Sequence, residues 1–178
     1  MARILILDGY NIIGARGRMR RDGEVLARER QGLLREISPY AAGGHFSEIH
    51  LVFDGYPNDR DLLLMPPSGV RVVFSEGAGS ADAVIVKLAE RYRERAAVVS
   101  SDREVVRMSR AMGAETVTSQ EFLGRISRRG GGSAIERDVE EGAEVERESP
   151  PPSFGKKKGN PRRLSKKERA QRRILDKL

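Results

Sequence analysis

The sequence predicts an α/β fold in three layers: a central, mostly parallel sheet flanked by helices, followed by a basic C-terminal tail. Two observations carry this reading. Short continuous apolar runs alternate with helix-period patterns up to Ile126, and beyond it the composition changes abruptly. Unbroken apolar runs mark strands covered on both faces. Strands separated by helices require crossover connections, and these give parallel pairing.

The first strand is expected at Ile4–Leu7, the second at Ile49–Phe53, the third at Val70–Phe74 and the fourth at Ala97–Val99, with a weaker fifth at Glu115–Val117. Between them Leu26, Leu33, Leu34 and Ile37 share one helical face. Val84, Ile85, Leu88 and Tyr92 share a second, and Val105, Met108 and Met112 a third. Thr118 and Glu121 have the spacing of a capping box and predict a last short helix.

After that helix, Gly130–Ser133 has the composition of a flexible linker, Glu136–Glu148 is mostly acidic, and Pro150–Pro152 follows. Three segments are therefore expected: a catalytic-sized domain over 1–128, an acidic Gly/Pro linker over 129–155, and a basic tail over 156–178 that is disordered or partly helical. Ser165 and Glu168 could cap a short helix within that tail. No internal repeat is visible.

The 178 residues can bury one proper core. With no cysteine, disulfides, thiolate zinc sites and cysteine nucleophiles are excluded, and a reducing, cytoplasmic setting is expected. Ile4–Leu7 is too short for the core of a secretory signal, and no apolar run is long enough to span a membrane. A net charge of +7 and a pI near 10.0 point to a polyanionic partner.

Four aspartates occupy equivalent places in the alternation. Asp8, Asp54 and Asp102 follow the first, second and fourth strands, and Asp82 opens the helix after the third. Parallel strands put their carboxyl ends on one side of the sheet, so all four should meet at one edge. Singly, each reads as a turn former or helix cap, and Asp82 could be an N-cap alone. Together, crowded carboxylates raise one another's pKa unless a cation compensates them, and a hard divalent ion takes oxygen ligands in such a setting. One or two such ions can supply what phosphodiester hydrolysis needs without histidine or cysteine.

Leu7-Asp8-Gly9-Tyr10-Asn11-Ile12-Ile13-Gly14 resembles the leading motif of the NYN domain, a branch of the PIN-like nucleases, and in particular of its YacP-like bacterial group. Val52-Phe53-Asp54-Gly55, Ser80-Ala81-Asp82 and Ser100-Ser101-Asp102 resemble the later motifs in order and spacing. The resemblance covers about residues 2–127. It implies a PIN-like sheet, Mg²⁺ or Mn²⁺ at the acidic cluster, and endonucleolytic cleavage of RNA. Asp8 and Asp82 would be the main metal ligands, Asp102 would complete the site, Asp54 would lie close to it, and Asn11 would position substrate or a ligand water.

Other signals have plainer readings. Gly77-Ala78-Gly79-Ser80 departs from a dinucleotide-binding loop, because Asp82 stands where its third glycine belongs. Tyr10 stands where an aspartyl-phosphate enzyme would carry its second carboxylate, which argues against that mechanism. Ser101 is near the cluster and could touch substrate, but His45 and His50 fall on the far side of the second strand, leaving no base for a serine triad. Arg16, Arg18, Arg20 and Arg21 follow the first motif and are either phosphate contacts or a solvated run. In the tail, Lys157, Arg162, Arg163, Lys166 and Lys167 should give salt-dependent, sequence-independent affinity.

The expectation is thus a metal-dependent endoribonuclease acting on mRNA or ribosome-associated RNA. Two alternatives stand beside it: a non-catalytic RNA- or ribosome-binding adaptor, and a structure-specific DNA nuclease of the same fold.

Overall fold

The computed structural model describes residues 3–17, 22–62, 64–77 and 79–130. The predicted linker from residue 131 on, the tail and Arg18 lie outside them, while residues 129 and 130, expected to open the linker, belong to the last helix. The chain runs β1 (Ile4–Asp8), α1 (Gly9–Ala15), α2 (Gly23–Ala42), β2 (Glu48–Phe53), α3 (Asp59–Leu62), β3 (Val70–Phe74) and α4 (Ala81–Tyr92). After a 3₁₀ turn it continues with β4 (Ala96–Val99), α5 (Arg103–Ala111), β5 (Glu115–Val117) and α6 (Ser119–Gly130).

All five strands are parallel, in the order β3-β2-β1-β4-β5. The chain winds outward from β1 to β3, then returns to the other side of β1, so the winding direction reverses between β1 and β4. Ligands of open parallel sheets bind outside the strand carboxyl ends at such a reversal.

Side-chain alternation along β1 builds the two apolar layers. Leu5 and Leu7 pack with Ile12, Ile13, Leu33, Ile37, Phe53 and Phe122 on the face covered by α1, α2 and α6. Ile4 and Ile6 pack with Val52, Ile85, Ala89, Val98 and Val105 on the face covered by α4 and α5. The expected strands and helical faces are all present, but α1 and α3 had no counterpart in the sequence reading. At seven and four residues they are too short to display a helical period. The last helix begins at Ser119 with Thr118 as its cap: the Thr118 amide donates to Glu121 Oε2 and the Glu121 amide donates to Thr118 Oγ1, closing the capping box.

Gly9 lets α1 begin immediately at the end of β1. A Cβ there would collide with the Phe53 ring, so only glycine brings this turn down onto the sheet edge. Behind it, Arg30 of α2 is buried against Asp61 of α3 through two bonds of 2.7 and 2.5 Å, and donates to the Tyr10 hydroxyl at 2.6 Å. Its guanidinium carbon lies 5.9 and 5.7 Å from the ring centroids of Phe53 and Phe74. This pair ties three helices together beside the carboxyl ends of β2 and β3.

Candidate active site

The carboxyl ends of β1, β2 and β4 open into a cleft of about 590 Å³ lined by residues that include all four aspartates. Each arrives by a separate local device. Asp8 ends β1 and caps α1, its Oδ1 accepting from the Asn11 amide at 3.1 Å, while Oδ2 accepts from Ser100 Oγ at 2.8 Å. Asp102 caps α5, its Oδ1 accepting from the amides of Glu104 and Val105. Asp54 reaches across to the start of α4, where its Oδ1 accepts from the Ala81 amide at 3.1 Å and from Ser75 Oγ at 3.0 Å.

Asp82 differs from the other three. The N-cap of α4 is Ser80, whose hydroxyl accepts from the Ala83 amide, so capping does not explain Asp82. Its carboxylate accepts no hydrogen bond from the described residues.

The electrostatics of the cleft are unbalanced. The lining contains four carboxylates and, among the described residues, no lysine or arginine. Burial pushes the Asp8 carboxyl above its ordinary range; Ser100 and Asn11 oppose the shift, and the charges of Asp82 and Asp102 add to it. Asp82 is likewise pushed up, by desolvation first and then by Asp102, Asp54 and Glu104.

Asn11 joins the two halves of the site. Its Oδ1 accepts from the Ser101 amide at 2.8 Å and from Ser119 Oγ at 2.7 Å, linking α1, the end of β4 and the start of α6. Ser101 Oγ in turn accepts from the Ser119 amide and donates to Gln120 Oε1 at 2.7 Å. Ser75, Ser119 and Gln120 were not singled out from the sequence, and Ser100 only as part of the Ser100-Ser101-Asp102 motif, since isolated polar residues in loops and first turns carry no periodic signal. Arg16 does not join this group: its guanidinium makes a two-bond pair with Glu36 of α2, at 3.2 and 2.6 Å. His50, placed by the sequence far from the cluster, is buried within β2 beside Glu48 and Tyr92.

The donor set fits a divalent cation of the Mg²⁺ or Mn²⁺ kind. Among the described residues no three acidic or histidine side chains stand close enough to cage an ion by themselves. Mg²⁺ needs no such cage, because it usually keeps several waters and binds through one or two carboxylates together with substrate phosphate. Asp82, whose carboxylate accepts no hydrogen bond from the described residues, and Asp8 beside it in the cleft lining are suited to that shared coordination.

The sequence profile of the YacP-like NYN domain matches residues 5–172. This chain belongs to the YacP-like NYN domain family. The match reaches well beyond residue 127, where the resemblance read from the motifs ends. A crystal structure of a Rae1 (YacP) point mutant from Bacillus subtilis is 27% identical, covers 71% of this chain and 78% of its own, and gives a TM-score of 0.56. A second Rae1 (YacP) structure from the same organism is 25% identical, covers 72% and 77%, and gives 0.53. No curated protein matches. Membership makes this a PIN-like nuclease-family domain with a central parallel sheet flanked by helices. Among the described residues no helix is long and apolar enough to cross a membrane.

Proposed function

We propose that this YacP-like NYN protein is a metal-dependent endoribonuclease that hydrolyses RNA phosphodiester bonds in the Asp8–Asp54–Asp82–Asp102 cleft. The observation that carries the reading is the charge of the lining: four carboxylates and no basic side chain among the described residues. A phosphodiester is itself an anion, so such a wall repels it unless divalent cations intervene. When bound, one or two ions supply the charge that compensates the phosphate and its transition state.

The chain's own residues divide the remaining work. Asp8 and Asp82 hold the cation, with Asp102 and Asp54 completing the acidic wall. Asp8 is kept in place by Ser100 and the Asn11 amide, and Asp54 by Ser75 and the first turn of α4. Water is taken as the nucleophile: among the described residues the cleft lining holds no histidine to act as base for a serine, and the chain has no cysteine. Lys157, Arg162, Arg163, Lys166 and Lys167 of the tail anchor the RNA backbone without sequence preference. A strand presented on the ribosome in the cytoplasm suits that division, with the tail held by a large rRNA surface and the domain cutting nearby.

The test is cleavage of a mixed cellular RNA pool, with and without ribosomes, by wild type and by a protein carrying Asp8→Asn and Asp82→Asn, in Mn²⁺ and in EDTA. Cuts should require both the metal and the two aspartates. Equal cleavage by wild type and variant, with RNA binding retained, would leave an adaptor as the better account. Cutting of DNA at the same rate as RNA would move the substrate class.

A further inference from the structure

The cleft lining mixes two kinds of polar group: the carboxylates of Asp8, Asp54, Asp82 and Asp102, and the primary amides of Asn11 and Gln120. Both amide oxygens are engaged. Asn11 Oδ1 accepts from the Ser101 amide, a donor that cannot reverse, so its oxygen and nitrogen are assigned without ambiguity. Ser101 Oγ accepts from the Ser119 amide and donates to Gln120 Oε1. The NH₂ groups of Asn11 and Gln120 make no hydrogen bond to any described residue.

Phosphate oxygens cannot approach the carboxylates except through a cation, but they can accept hydrogen bonds directly from the amides. A neutral donor is suited to this place, because a lysine or arginine would pair with the carboxylates and displace the cation they hold.

Building on the endoribonuclease reading, we propose that Gln120 is a substrate-binding residue whose amide donates to a non-bridging phosphate oxygen of the RNA strand, beside Asn11. Ser101 is the positioning residue that sets the orientation of the Gln120 amide. The side chain is exposed and opens α6, so its role is tested without dismantling the core.

The experiment compares wild type with Gln120→Met, which keeps the length but has no N–H, and Gln120→Glu, which keeps the oxygen that Ser101 requires. Binding of a short fluorescein-labelled single-stranded RNA is followed by anisotropy in Ca²⁺, and cleavage of the same RNA in Mn²⁺. A parallel set of oligonucleotides carries a single stereodefined methylphosphonate, or a single 2′-deoxy sugar, at successive positions. Both variants should bind about tenfold more weakly at unchanged melting temperature, the size expected for losing one hydrogen bond to a charged group. One methylphosphonate should weaken wild type by a similar factor and leave Gln120→Met no weaker than before.

If Gln120→Glu behaves as wild type, Gln120 serves only to hold Ser101 and the proposal is overturned. If the missing coupling is to a 2′-hydroxyl, it is overturned in favour of sugar recognition. Wild type that cleaves normally while both variants match it sinks this inference alone. Wild type that neither binds the oligonucleotide nor cleaves it or the ribosome-bearing pool sinks the endoribonuclease reading too.

Discussion

Two polar clusters stand beside the same sheet edge and are built on opposite principles. In the first, Arg30 and Asp61 are fully buried, matched in charge, joined by two hydrogen bonds and closed off by Tyr10, Phe53 and Phe74. Burial alone would lower the pKa of Arg30, but Asp61 and Tyr10 outweigh it and hold the guanidinium above its ordinary value. In the second, Asp8, Asp54, Asp82 and Asp102 share a cleft whose described lining holds no lysine or arginine, and two of them are pushed toward protonation. The paired cluster fixes structure. The unpaired one stores unfavourable charge that a ligand can relieve, as binding sites commonly do.

The comparison is broken most severely by unpairing the first cluster. Asp61→Ala strands a buried guanidinium, and chemical denaturation should show a loss of about 3–5 kcal/mol. Replacing Arg30 and Asp61 together by apolar residues of similar volume should recover much of that loss, because the desolvation penalty goes with the charges. Next in size is Gly9→Ala, where the new methyl meets the Phe53 ring. Overpacking should cost about 1–3 kcal/mol in the same assay and disturb the Asp8 cap beside it.

Relieving the second cluster should have the opposite sign. Asn caps helices as well as Asp, so Asp8→Asn keeps the α1 cap while removing a charge. In EDTA at neutral pH its melting temperature should rise, corresponding to a gain on the order of 1 kcal/mol. The pH dependence follows from the same shift. A carboxyl whose pKa is higher in the folded chain binds its proton more tightly there. Its stabilising contribution is complete below the unfolded value and is lost as pH rises through the raised folded one. Between those two points wild type should lose stability with rising pH, and Asp8→Asn should flatten that part of the profile. The smallest effect is expected from Arg16→Ala. This removes a partly exposed ion pair with Glu36, so stability should change by less than about 1 kcal/mol, and RNA binding should be unaffected.

The difference between the clusters also explains what could be read from sequence. Asp8, Asp54, Asp82 and Asp102 were legible because a parallel sheet brings every strand end to one edge, whatever the details of packing. The strands were legible because residues buried on both faces must be apolar without interruption. Arg30 and Asp61 were not, since one lies on a helix face and the other in a helix of four residues, and nothing in the spacing of 31 residues announces a pair. Arg16 was read as a possible phosphate contact, but at the end of the short α1 it turns back to Glu36 on α2. Gln120 and Ser119 escaped because their importance arises only when α6 begins against the end of β4.

The central claim is that the acidic cleft is completed by a divalent cation shared with RNA. The most direct test is electron paramagnetic resonance of free Mn²⁺ during titration with wild type, and with the variant carrying Asp8→Asn and Asp82→Asn, in the presence of a short single-stranded RNA. The account predicts that wild type with RNA removes Mn²⁺ signal stoichiometrically and that the variant removes none beyond RNA alone. Equal loss of signal with both proteins would contradict it.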